Sequence, residues 1–155
     1  MSRRVRHSRI AALLVGLVLA SAGSPLLAAA GEAVRLGVEV IYASNEGQRV
    51  DPSLAGVERQ LRSSFRYSSY RRLDSHELVR SIGQQGTVPL PGGRTLLLAP
   101  QGVSGGSVIL LASIQGGGRA LLNTELKLAN GGTILVGGPS HEAGVLILAI
   151  TAATP

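Results

Sequence analysis

Ser140, His141 and Glu142 are the three consecutive residues whose types invite a reading as nucleophile, base and orienting acid. A working triad needs those groups to converge in space from separate parts of the chain, which neighbours in sequence seldom do. Following Gly137-Gly138-Pro139, the tripeptide reads instead as a polar turn in a loop over residues 137–144. The expectation is a protein without catalytic residues, hydrolysis through Ser140 being the enzymatic alternative. His76 stands in Asp74-Ser75-His76-Glu77, where an acid followed three residues later by Glu has the spacing of a helix capping box. The sequence holds no HExxH pair, no calcium-loop acid pattern and no cysteine, so neither a metal site nor a disulfide framework is expected. The glycine clusters match neither GxGxxG nor GxxxxGK[ST] and lie between strand-like segments, which makes them turns rather than phosphate cradles; no cofactor is expected.

The arginines are the remaining chemistry. On a helix, Arg59, Arg62 and Arg66 fall at i, i+3 and i+7 and share a face, and Arg71 and Arg72 follow with Tyr67 and Tyr70 interleaved. Such a surface suits anionic lipid heads, acidic glycans or an acidic protein partner. The same residues also serve as an ordinary solvated helix face, partly offset by Glu58.

The elements that would position these residues are mostly strands. Val34, Leu36, Val38, Val40 and Tyr42 alternate with Arg35, Gly37 and Glu39, the period of a half-buried strand over residues 34–42. Asp51-Pro52 opens a helix over residues 52–65 with an acid cap and a proline at its first position, and Leu54, Val57, Leu61 and Phe65 form its apolar stripe. Residues 66–73 read as a short strand, and the capping box predicts a second, short helix ahead of Leu78, Val79 and Ile82. From residue 87 onward, strands over 87–90, 94–99, 107–115, 119–129, 133–136 and 145–152 are separated by glycine-rich turns, with Asn130-Gly131-Gly132 as a hairpin signal. Short turns join antiparallel neighbours. The predicted fold is α+β and mostly β: an antiparallel sheet or sandwich of about six to eight strands with one main helix packed on it.

The first thirty residues set the location. Arg3, Arg4, Arg6 and Arg9, an uncharged apolar run over residues 10–20 and Ala28-Ala29-Ala30 form the three parts of a secretory signal peptide, with cleavage expected before Gly31. The apolar run falls short of the roughly twenty residues that span hydrocarbon, so no transmembrane span is expected after cleavage. Four of the 15 basic residues and none of the nine acidic ones lie in this leader, leaving 11 against nine, a net charge of +2, over residues 31–155. That small charge, with export, excludes nucleic acid as a partner. Residues 31–155 suffice for one compact domain with a single core.

The closing run GGTILVGGP, residues 131–139, followed by GVLILAITAATP, residues 144–155, resembles the last strands of the secretin core. That resemblance implies a periplasmic, envelope-associated domain. The sequence as a whole implies a periplasmic or secreted, non-enzymatic domain that acts by contact with an envelope protein or an anionic surface. The alternative is a carrier or sensor of a small apolar or lipid-like ligand, which the apolar residues on both faces of 94–99 and 107–115 would permit.

Overall fold

A computed structural model describes residues 32–155; the expected signal peptide over residues 1–30, with its cleavage point, lies outside the described residues. Two four-stranded antiparallel sheets face each other. Sheet A has the order β2-β1-β8-β7, from β1 (Ala33–Ser44), β2 (Ser69–Ser81), β7 (Thr133–His141) and β8 (Gly144–Ala153). Sheet B has the order β3-β4-β5-β6, from β3 (Gly86–Leu90), β4 (Arg94–Ser104), β5 (Ser107–Gly116) and β6 (Arg119–Ala129). Val34, Leu36, Val38 and Val40 of β1 and Leu146, Leu148 and Ile150 of β8 meet Leu96, Leu98, Val108, Leu110, Ile114, Leu126 and Leu128 of sheet B in one core. The expected mostly-β fold with one main helix is what forms. Among the described residues, no helix is long and apolar enough to cross a membrane.

A third layer lies on the outer face of sheet A. The expected helix over residues 52–65 is divided into a 3₁₀ turn, Pro52–Leu54, and the helix α1 (Glu58–Ser64), with Gly56 between them. Its stripe keeps its role across the break: Leu54 and Leu61 are fully buried against Ile41, Ala43, Tyr70, Ile147 and Ala149, with Val57 and Phe65 packed at the margin. Each such burial contributes roughly 1.5–3 kcal/mol before entropy is counted. Two polar devices hold the layer in place. Asp51 accepts from the Ser53 hydroxyl (2.7 Å) and the Ser53 N–H (2.9 Å), and its second oxygen accepts from the Arg72 N–H of β2 (3.3 Å). The Ser53 hydroxyl, aided by those N–H groups, holds the Asp51 carboxyl below its usual range. Because folding lowers this pKa, the contribution is complete above the ordinary carboxylate range and is lost as the pH falls through the lowered value. At the other end the buried Tyr70 hydroxyl donates to the Phe65 carbonyl oxygen (3.0 Å), with the Leu61 carbonyl at 3.3 Å, and accepts from the Tyr67 N–H (3.4 Å).

Three sequence expectations are corrected. Asp74 to Glu77 do not start a helix but lie inside β2, which pairs with β1 from Ala33↔Ser81 to Ser44↔Ser69. The Asp74 carboxylate accepts from the Ser75 N–H within the strand (2.8 Å). A capping box is worth about 1 kcal/mol, whereas the ladder supplies cross-strand pairs along the whole of β2 and packs Leu73 and Leu78 on the core. Asn130-Gly131-Gly132 does not close a hairpin, because β6 and β7 belong to different sheets. The segment is a corner tied to the end of β8: the Gly131 N–H donates to the Ala152 carbonyl (2.8 Å), and the Asn130 side chain bonds Thr154 twice at 2.9 Å. Finally, the loop expected over residues 137–144 is mostly strand. β7 continues to His141 through an irregularity between Gly137 and Ser140, leaving Glu142 and Ala143 as the turn.

Two substitutions test this packing by chemical and thermal unfolding. Leu61→Asp places a carboxylate in the fully buried centre of the third layer and is expected to destabilise by about 3–5 kcal/mol. Gly144→Ala is expected to destabilise by about 2–4 kcal/mol, because its Cβ would overlap the Ala43 carbonyl oxygen of β1. Ser140→Ala, on an exposed site, serves as the unchanged control.

Candidate interaction surface

The five arginines do not share one face. Arg59 and Arg62 are exposed on α1, Arg66 lies beyond the last helical turn, and Arg71 and Arg72 open β2. Successive strand residues point to opposite faces. Accordingly Arg72, paired with Ile41, reaches Glu39 at 3.3 Å on the outer face of sheet A. Arg71, paired with Tyr42, lies over the Tyr42 ring at 5.6 Å on the inner face. Arg62 is bonded to Glu58 at 2.9 Å, one helical turn back. Two of the five charges are thus partnered by carboxylates of the chain itself, and exposed pairs of this kind contribute about 0–1 kcal/mol.

His141 meets the Tyr42 ring edge-on at 5.7 Å, so Tyr42, Arg71 and His141 form one cluster at an end of the sandwich. The Glu142 carboxylate stands 3.8 Å from His141 Nε2. Ser140 is exposed, one strand position before His141 and so directed to the other face; the hydroxyl and the imidazole do not converge. His76 lies on β2 with its Nε2 2.9 Å from Asp74 Oδ2. Among the described residues, no three His, Asp or Glu side chains gather where a metal could be held.

Of the recesses on sheet A, two lie beside residues named above. One, of about 410 Å³, lies beside the Pro52–Leu54 turn, above Gly37, with Arg35, Glu39, Glu77, Thr133 and Thr151 around it. It exists because Gly37 and Gly56 carry no side chains and because the outer face of β1 is polar until the apolar stretch at Ile41 and Ala43. The other, of about 890 Å³, lies among Tyr42, Glu46, Arg49, Asp51, Arg71 and Glu142. Both mix charged and small residues and open to solvent.

The outer face of sheet B is different in kind. Ala99 lies opposite Leu111 and Gly102 opposite Ile109, with Leu97 two residues before Ala99 on the same face. Leu97, Ala99 and Ile109 are half-buried, while Leu111 is 39% exposed. No element of the described residues lies over them, in contrast to the helical layer over sheet A. Contiguous apolar area on a sheet face marks a contact surface more often than isolated exposed side chains do. The sequence carried a signal for it in the doubly apolar runs over 94–99 and 107–115, but such runs read equally as strands buried on both faces. Comparison with protein families, with curated proteins and with solved structures finds no match to this chain.

Proposed function

We propose that the protein is an exported component of the cell envelope, periplasmic or secreted, that acts without catalysis through contact with another protein. The observation that carries this reading is the uncovered apolar face of sheet B, built on Leu97, Ala99, Ile109 and Leu111. A β-sandwich has no internal need for apolar side chains there, and each of them exposed to water forgoes part of the roughly 25 cal/mol per Å² that burial would supply. The signal-like leader supports the location, and so does the resemblance of the closing strands, here β7 and β8, to the secretin core. The carrier alternative receives no such support from the open, charge-lined recesses over sheet A.

The test expresses the full chain and fractionates the cells. The exported form is expected to have the intact mass of a chain beginning near Gly31. Wild type is expected to be retained by envelope material through mild washing, and the double variant Leu97→Lys and Leu111→Lys to be released at an unchanged melting temperature. Equal retention of both proteins, or a mass that retains residues 1–30 in a cytoplasmic fraction, would overturn the reading.

A further inference from the structure

We propose that two copies of this chain join through β6, edge to edge and antiparallel, about a two-fold axis centred on Leu126; this rests on the reading of the protein as a contact module and names one of its partners. Four strands end the two sheets: β2 and β7 in sheet A, β3 and β6 in sheet B. An unpaired strand edge presents a row of N–H and C=O groups that templates further pairing unless it is blunted. Three of the four are blunted. β3 is five residues long and contains Pro89. β7 contains Pro139 and is irregular between Gly137 and Ser140. β2 carries Arg71, Arg72, Asp74, Glu77 and Arg80 and bulges opposite Val40 and Ile41. β6 has no proline, and its one irregularity lies near its start, so it runs in unbroken register with β5 from Leu122 to Ala129.

The side chains of β6 then select the occupant and the register. Leu122, Thr124, Leu126 and Leu128 face the core side, while Asn123, Glu125 and Lys127 are exposed on the outer face. Among the described residues, neither Glu125 nor Lys127 belongs to an ion pair. When a two-fold axis stands normal to a continuous sheet, inner residues oppose inner ones and outer oppose outer, so the axis must pass through a residue position. An axis at Glu125 sets Glu125 against itself, and one at Lys127 sets Lys127 against itself. An axis at Thr124 sets Lys127 against Leu121, and one at Leu128 sets Glu125 against Gly131. At Leu126 alone, Glu125 of each copy faces Lys127 of the other, twice. On the inner side Leu126 then meets its own copy, and Leu128 meets Thr124. Directly opposed charges of opposite sign stabilise a strand pair and like charges destabilise it, so one register is favoured and its two polar neighbours are disfavoured.

The experiment measures self-association of the exported protein by sedimentation equilibrium. Wild type is expected to dimerise. Glu125→Lys and Lys127→Glu, each placing like charges in opposition twice, are expected to weaken the dimer about tenfold or more. An equimolar mixture of the two single variants restores complementary pairs at both positions and is expected to dimerise as wild type, as is the double exchange Glu125→Lys with Lys127→Glu. Because the chain has no cysteine, Glu125→Cys mixed with Lys127→Cys gives a second readout: a mixed disulfide dimer on oxidation, in preference to either homodimer. A monomeric wild type, a dimer indifferent to both charges, or homodimers as the main cross-linked product would each overturn the proposal. The two readings fail separately. A monomer still held in the envelope through Leu97 and Leu111 removes only self-pairing, and a dimer that envelope material does not retain removes only the envelope reading.

Discussion

Burial of the two central strands of sheet A on both faces is the constraint on which the rest of the structure depends. In β1, Val34, Leu36, Val38 and Val40 enter the space between the sheets, while Ile41 and Ala43 enter the space beneath α1. In β8, Leu146, Leu148 and Ile150 face one way and Ile147 and Ala149 the other. Where a strand is half-buried its sequence alternates, and where a layer is added to the second face the sequence becomes continuously apolar. The change within β1 from alternation to Val40-Ile41-Tyr42-Ala43 therefore marks the edge of the helical layer. The recess above Gly37, with Arg35, Glu39 and Glu77 around it, begins on the other side of that edge.

The two sheets answer that sequence signal differently. β4 and β5 also carry apolar residues on both faces, at Leu96 and Leu98 against Leu97, and at Leu110 and Ala112 against Leu111. Sheet A meets the requirement from within the chain, by folding residues 52–65 over itself and fastening them with Asp51 and Tyr70. For sheet B the described residues supply no such layer. The asymmetry is informative because both sheets have the same strand number and share one core, so it is the outer faces that differ.

Most of the fold was legible because it is written in local periodicity. The strand at residues 34–42, the stripe Leu54, Val57, Leu61 and Phe65, and the turns at Gly92-Gly93 and Gly117-Gly118 each depend on residues a few positions apart. What was not legible depends on remote partners. Asn130-Gly131-Gly132 announces a reversal of direction, but β7 pairs with β8 rather than β6, and the corner is tied to Ala152 and Thr154, more than twenty residues away. Likewise the capping pattern at Asp74 to Glu77 is correct local chemistry, overridden by a ladder with β1. The arginines show the same limit. Their spacing fits a helix that extends to Arg66, whereas α1 ends at Ser64 and the chain then turns so that Arg71 and Arg72 face opposite sides of a strand.

Charge on an exposed strand edge is usually a defence against pairing, and the content of that defence depends on how the signs are arranged. Two like charges two residues apart would oppose one another in every two-fold register that brings them together, which is how such an edge stays alone. Glu125 and Lys127 differ in sign, and opposite signs at i and i+2 are self-complementary about the residue between them. The pair still repels the registers centred on either charge, so it removes slippage by two residues in both directions while permitting the register between. Leu126, the residue at that centre, is 7% exposed at the rim of the core, where an opposing leucine would cover what remains. An edge built in this way is selective rather than blocked, and the selectivity comes from one alternation of sign along a strand that lacks the proline of β3 and β7 and the bulged, charge-dense edge of β2.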